Sequence, residues 1–254
     1  MVESIGVIPA RFGSTRFPGK ALASLWGKPL VQHVYERVAR CRALERVIVA
    51  TDDERVQKAV ESFGGTVQMT SSSHQTGTDR VAEIAKSVSA GLFVNIQGDE
   101  LFVEPEDLAR LVEALRSRPE LEMATLRFPL SDPASLADPN VVKVVTDARD
   151  MALLFSRSPI PFHVEGKEPE DNSPDRGLPA GLHQIHVGVY AYRRQCLLEF
   201  SRQPRGRLEQ AENLEQLRAL ELGIGILVLP ATGRPRGINT PEDLAGLKEE
   251  DLNP

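Results

Sequence analysis

The chain has 254 residues, with 30 Lys and Arg against 36 Asp and Glu for a formal charge of −6. This length is ample to bury a core, and the acidic balance excludes a general nucleic-acid binder, which needs a broad basic surface to displace counterions. Cys41 and Cys196 stand far apart, with no Cys or His at zinc-ligand spacing, so a disulfide framework and a structural zinc site are excluded and two reduced, partly buried thiols are expected.

The opening segment MVESIGVIPARF has no basic stretch leading into a long apolar core. No later apolar run approaches the ~20 residues of a membrane span, so the expected location is the cytoplasm. Strand-length apolar runs, SIGVI (4–8), RVIVA (46–50), TVQM (66–69) and LFVNIQ (92–97), alternate with PLVQHVYERVAR, DERVQKAVESF, TDRVAEIAKSV and PEDLARLVEALRS. Each of the latter repeats its apolar residues at three and four spacing, the helical period. The alternation predicts an α/β fold: a mixed, mainly parallel sheet with helices on both faces.

The next three runs, MATLRFPL (123–130), VVKVVTD (141–147) and MALLFSR (151–157), are separated by short gaps and are expected to pair antiparallel. From Ser158 to Gly181 the chain is rich in proline, glycine and charge, which reads as an excursion with little regular structure, a lid or a subunit-contact arm. The alternation resumes with HQIHVGVYAY (183–192), a helix from about Leu208 to Leu222, a strand GIGILVLP (223–230) and a last helix opened by TPEDL (240–244). There Thr240 is the expected N-cap, Pro241 the first helical residue, and two acids fill the first turn. One domain over 1–254 is expected, with 120–200 containing the excursion.

Ligands of open α/β sheets gather at the carboxyl ends of strands. The loop IPARFGSTRFPGK stands there, with Arg11, Arg16 and Lys20 among glycines and the hydroxyls of Ser14 and Thr15. Gly13 and Gly19 are one residue too far apart for a Walker loop, and Ala21 follows Lys20 where a metal-binding hydroxyl would stand. A dinucleotide fingerprint is absent as well. What remains is a loop whose amides, hydroxyls and cations suit a triphosphate. NIQGDE puts Asp99 and Glu100 just past a buried run; Asp99 suits Mg2+ shared with substrate phosphates, and the plainer alternative is a turn acid capping the helix near Pro105. TSSSHQTGTDR (70–80) is a second polar loop, open to a base or ribose. Glu209, Glu212 and Gln216 recur at helical spacing, as a solvated face or as a polar wall for sugar hydroxyls. His186 inside a strand pattern reads most simply as a structural histidine.

Taken together, IPARFGSTRFPGKAL, GKPLVQHVYERV, VIVATDDERV, HQTGTDR, NIQGDE, PNVVKVV, ALLFSRSPIPF, HVGVYAYR, LEQAENLEQLRALELG and NTPEDL resemble, in order and over nearly the whole chain, the CMP-Kdo synthetase (3-deoxy-manno-octulosonate cytidylyltransferase) family. The resemblance implies a Rossmann-like nucleotidyltransferase fold, a homodimer, Mg2+ as cofactor, and CTP and Kdo as substrates for lipopolysaccharide synthesis. It implies phosphate roles for Arg11, Arg16 and Lys20, with Lys20 stabilising the transition state, and a cytidine pocket at Ala50, Thr51, Gly77 and Arg80. It also implies sugar contacts from Gln97, Arg157, His186, Tyr190, Glu212 and Gln216, with Arg157 facing the sugar carboxylate.

Two positions depart from the family pattern. Leu101 stands where GDE is usually followed by proline, which affects turn rigidity more than chemistry. Asn239 stands where the family has the Asp that shares the metal with Asp99, so one oxygen ligand is kept and a charge lost. The implied reaction has three alternatives: the same transfer to 8-amino-Kdo, a nucleotide-sugar-binding homologue without catalysis, and a nucleotidyltransferase for another sugar such as sialic acid or a sugar 1-phosphate, against which HVGVYAYR and LEQAENLEQLR favour the Kdo branch.

Overall fold

The computed structural model describes residues 2–13, 17–164, 178, 181–238 and 240–252. The predicted alternation builds its first half: β1 (Ser4–Pro9), a small hairpin of β2 (Ser24–Leu25) and β3 (Lys28–Pro29), α1 (Leu30–Val38), β4 (Arg46–Thr51), α2 (Glu54–Ser62), β5 (Val67–Met69), α3 (Gly77–Ser87), β6 (Leu92–Asn95) and α4 (Pro105–Ser117). Strands β1, β4, β5 and β6 pair in parallel, with Ile5 opposite Arg46 and Phe93, and Val49 opposite Val67.

The second half adds β7 (Met123–Pro129), α5 (Pro133–Ala137), β8 (Lys143–Thr146), β9 (Ala152–Ser156), β10 (Gln184–Arg193), α6 (Arg194–Phe200), α7 (Arg207–Glu212), α8 (Gln216–Glu221), β11 (Ile226–Pro230) and α9 (Pro241–Ala245). The main sheet runs β11-β7-β10-β6-β1-β4-β5, with β8 on β10 and β9 on β8. β10 is antiparallel to both β6 and β7, so the sheet is mixed as expected.

The period of two along the strands sorts side chains between two apolar layers. Ile5, Val7, Ile48, Ala50 and Phe93 join α3 and α6 through Val81, Ile84, Leu197 and Phe200. Ile8, Val47, Val49, Leu92 and Val94 join α1 and α4 through Val34, Val38, Leu108 and Leu111. Leu101, at the family's usual proline position, is fully buried in this second layer.

Three expectations need correction. β7 pairs with β10 and β11 instead of β8, so only β8 and β9 form the expected antiparallel pair. The helix expected over 208–222 is two, because Asn213 takes a left-handed conformation (φ 51°) between α7 and α8; asparagine tolerates that region better than most residues. α6 stands where the sequence pattern predicts no helix, because an element this short does not display a helical period. The last helix matches, with Thr240 and Asp243 forming a capping box. Within the excursion after Ser158, residues 165–177, 179 and 180 lie outside the described residues, as do Ser14, Thr15, Arg16 and Asn239. Among the described residues no helix is long and apolar enough to cross a membrane.

Candidate nucleotide and sugar site

The chain steps outward from β1 to β4 to β5, then returns to place β6 on the other side of β1. The loops leaving β1 and β6 therefore open from one crevice, the switch point where α/β sheets bind ligands. Gly98 lets them approach: a Cβ there would lie 3.0 Å from the Pro9 carbonyl oxygen. Lys20 donates to the Asp99 carboxylate across this crevice. That contact excludes the capping alternative, and α4 instead has Glu104 at its N-cap without a side-chain bond.

Beside the pair lies a pocket of about 130 Å3 lined by Pro9, Arg11, His74, Gln75, Thr76, Gly77, Arg80 and Gln97. It unites residues of the first polar loop, the Ser-rich loop and the end of the β6 run. Thr76 caps α3, accepting from the Asp79 amide while Asp79 accepts from the Thr76 amide. Gly77 opens the helix with its Cα facing Pro9 and the Gln97 Oε1, where a Cβ would lie 3.3 Å away. Arg80 is 4% exposed and is held by Asp52 at 2.8 Å, Thr70 Oγ1 at 2.8 Å and the Ser71 carbonyl at 3.1 Å. Glu83 accepts from His74 and from the Ser71 amide, fixing the loop from below.

Ala50 and Thr51 are fully buried and are not among the residues lining this pocket. They serve as its frame: the Ala50 carbonyl accepts from the Ala10 amide at 2.9 Å and that of Thr51 from Thr70 at 2.8 Å. Glu100 is the second acid of the β6 loop. Burial, then the charge of Asp99, pushes it up to about 7 against the pull of Lys20, leaving Asp99 as the carboxylate available to a cation.

The sugar-side candidates fall into two groups. Arg157 and Glu212 are locked together: the Glu212 carboxylate accepts from Ser156 Oγ at 2.6 Å and the Arg157 amide at 2.9 Å. The Arg157 guanidinium donates to the Glu212 and Pro139 carbonyls, both at 2.7 Å. Its backbone carbonyl accepts from Lys143, whose side chain is fully buried and also donates to the Asp138 and Val141 carbonyls. On β10, His186 and Tyr190 have ring centroids 5.3 Å apart, with Phe155 edge-on to His186. Burial pushes the His186 imidazole down to about 3, so it is neutral near pH 7. Gln216 is buried at the start of α8. The solvated-face reading fails for Glu209, which points inward from α7, 2% exposed, between Arg205 and Arg218.

Residues 5–226 match the Cytidylyltransferase family. The chain is 49% identical over 246 residues to the 3-deoxy-manno-octulosonate cytidylyltransferase of Geobacter sulfurreducens, covering 96% of this chain and 97% of that one. It belongs to the 3-deoxy-manno-octulosonate cytidylyltransferase family. It is also similar to a solved CMP:2-keto-3-deoxy-manno-octonic acid synthetase complexed with CTP, with TM-score 0.84, 43% identity, and 96% and 95% of the two chains covered. HddC from Yersinia pseudotuberculosis, 14% identical over 96% of this chain and 97% of its own, shares the fold at TM-score 0.67.

The roles drawn from the family motifs fall on residues around the crevice and pass over others in the same motifs that hold them. These are Glu215 and, inside apolar patterns, Thr78, Asn95 and Lys143. Glu215 accepts from Thr76 Oγ1 at 3.2 Å, Thr78 Oγ1 at 2.7 Å and Arg218 Nη2 at 2.9 Å. Burial pushes its carboxyl up; Thr78, Arg218 and Thr76 oppose this. The sequence signal for Thr78, Asn95 and Lys143 is a polar side chain at a core position of a regular pattern, which requires a buried partner; Glu215 carries no such signal.

Proposed function

We propose that the chain transfers CMP from CTP to the anomeric C2 hydroxyl of 3-deoxy-D-manno-octulosonate, giving CMP-Kdo and pyrophosphate for lipopolysaccharide synthesis. The observation that carries this reading is the Lys20–Asp99 pair at the switch point, beside a pocket walled by Arg11, Gly77, Arg80 and Gln97, in a chain so close to proteins named for this reaction. The C2 hydroxyl oxygen bonds to the α-phosphorus as the bond from that phosphorus to the pyrophosphate oxygen breaks; pyrophosphate leaves with the electron pair and the hydroxyl proton passes to water. Such a displacement needs charge neutralisation and alignment more than a side-chain nucleophile. Lys20 and Arg11 serve the phosphates, together with Arg16, Ser14 and Thr15 of the same loop. Gln97, His186, Tyr190 and Gln216 orient the sugar, with Arg157 and Glu212 bounding it.

Asp99 fits a Mg2+ site: it is a carboxylate at the crevice whose neighbouring acid, Glu100, is pushed up to about 7. This suits a hard cation that binds few protein oxygens plus substrate phosphates. Asp99 and Asn239 would hold the ion, which supplies positive charge to the α-phosphate.

The test is pyrophosphate release measured with each of four nucleoside triphosphates against Kdo, 8-amino-Kdo and sialic acid. Release with CTP and Kdo is the expected result. Release with the amino sugar in place of Kdo reassigns the acceptor, and no release with any pair makes the chain a binding homologue.

We also infer a homodimer. Leu153, Phe162 and Val164 are 62%, 87% and 61% exposed, and Leu153 and Leu182 line a groove of about 570 Å3 with Val144, Leu154 and Ile160. An apolar surface of this kind on one side of a chain suits a second copy. Light scattering should give twice the 27.9 kDa chain mass, and Phe162→Asp should halve it.

A further inference from the structure

A buried chain of hydrogen bonds runs beneath the crevice from α8 to the end of β6. It begins at Glu215, whose carboxylate can only accept when ionised. The Thr78 hydroxyl lies 2.7 Å from Glu215 Oε2, so its one proton is spent there. Its oxygen is left to accept, and Asn95 Nδ2 donates to it at 3.2 Å. That fixes the Asn95 amide with Oδ1 directed to Gln97, whose Nε2 donates to it at 3.4 Å. Gln97 is thereby left with Oε1 turned away from the chain, beside the Cα of Gly77 on the pocket wall.

Thr78 and Asn95 are 2% and 1% exposed, so water does not intervene to reset either group. Glu215 is itself anchored by Arg218, which is 5% exposed, pairs with Glu209 at 3.1 Å and donates to the Gln203 carbonyl at 2.7 Å. A primary amide has nearly the same shape in either orientation, and its neighbours alone choose which end faces out.

We propose that Glu215 is a positioning residue: through Thr78 and Asn95 it fixes the amide of Gln97 so that its oxygen, and not its NH2, faces the substrate and accepts a hydrogen bond from a sugar hydroxyl. The sugar as ligand rests on the proposed function; the amide orientation does not. The specificity consequence is that Gln97 selects a donor on the sugar at that point. Removing the acceptor-only end of the chain frees each group to reverse, which turns an N–H into the site.

Two measurements test this. In 15N spectra of the unliganded wild-type protein, both Gln97 side-chain amide protons should appear as resolved signals, with one exchanging slowly with solvent and showing cross-relaxation to the Asn95 side chain; freely exchanging, averaged protons overturn the assignment whatever the substrates are. In pyrophosphate-release assays, Glu215→Gln should raise KM for the sugar about tenfold while KM for CTP changes less than about threefold. Adding Asn95→Asp to Glu215→Gln moves the acceptor-only group one link along, so that Gln97 Nε2 must again donate inward. The double variant should recover sugar KM to within about threefold of wild type. Unchanged sugar KM in Glu215→Gln, or a folded double variant no better than the single one, overturns the proposal. Absence of activity in the wild type would instead reject the assigned reaction, and the spectra would still decide the orientation.

Discussion

Lys20 and Asp99, 79 residues apart in sequence, pair directly across the crevice between the loops leaving β1 and β6. The lysine is 13% and the aspartate 34% exposed on the side chain, so the pair is reachable from solvent and adds little to stability. On the proposed function the pair places a cation and an anion side by side, the first for a triphosphate and the second for a divalent cation. Lys20→Ala should lower the rate of pyrophosphate release about 10²- to 10³-fold, the usual cost of removing a charge stabiliser of the transition state. The same variant should melt within a few degrees of wild type. A rate close to wild type would remove Lys20 from the phosphate site.

Lys143 makes a different prediction because it carries no ligand role. Its side chain is fully buried, and its three donors go to the carbonyls of Asp138, Val141 and Arg157. Methionine fills a similar volume but takes the lysine donor from all three carbonyls, of which that of Asp138 keeps the Val141 amide at 3.2 Å, at about 1–3 kcal/mol for each one left unpaired away from water. Urea unfolding should show Lys143→Met destabilised by about 3 kcal/mol. Because one carbonyl belongs to Arg157, sugar KM should rise more than CTP KM; a stable variant with unchanged sugar KM would show that the tether holds nothing.

The two halves of the site differ in how plainly they are written in the sequence. Strands β1, β4 and β6 announce themselves as apolar runs, and the loops after them carry charge that no core would accept, so Arg11, Lys20 and Asp99 are legible from residue order alone. Thr240-Pro241 marks the last helix because each residue has one local reason to be there. Local rules fail where a distant partner decides. Asn213 breaks a continuous helical period, and only the docking of α7 and α8 against Ser156 and Arg157 explains the break. Ala50 and Thr51 sit at family pocket positions, yet their role in this fold is carried by backbone carbonyls, which leave no trace in side-chain identity. Glu215 reads as one more surface acid of an acidic helix, and its partners Thr76 and Thr78 lie about 140 residues earlier.

His186 gives a pH test. Burial lowers its folded-state value from 6.5 to about 3, so the neutral imidazole is the form the fold accepts. Its contribution is complete above about pH 6.5 and is lost as pH falls toward 3, because the unfolded chain takes up the proton first. Between pH 6.5 and 5 the loss is about 2 kcal/mol. The stability of wild type minus that of His186→Gln, from urea unfolding at each pH, should decline over this window. A difference that is flat with pH would mean the ring is solvated.

The thiols of Cys41 and Cys196 are both buried and unpaired with each other. Burial raises both, Cys196 to about 12, and the thiolate is the reactive form. The folded protein should therefore react slowly with a thiol reagent, and two thiols per chain should react at once in denaturant. Fast labelling of either in the native state would place it in a region that opens readily.

Asn239 bears on the metal. Its amide oxygen can ligate a hard cation but brings no charge, whereas the family's aspartate does both. Asp99 then supplies most of the negative charge at the site, since Glu100 is pushed up to about 7 and is only partly ionised there. On the proposed function the consequence is a weaker hold on Mg2+ and a greater reliance on the phosphates of CTP to complete the ion's shell. The rate of pyrophosphate release measured against Mg2+ at saturating CTP should reach half its maximum at a several-fold lower concentration in Asn239→Asp than in wild type. If the two curves coincide, residue 239 does not touch the ion, and Asp99 with the substrate oxygens accounts for metal binding by itself.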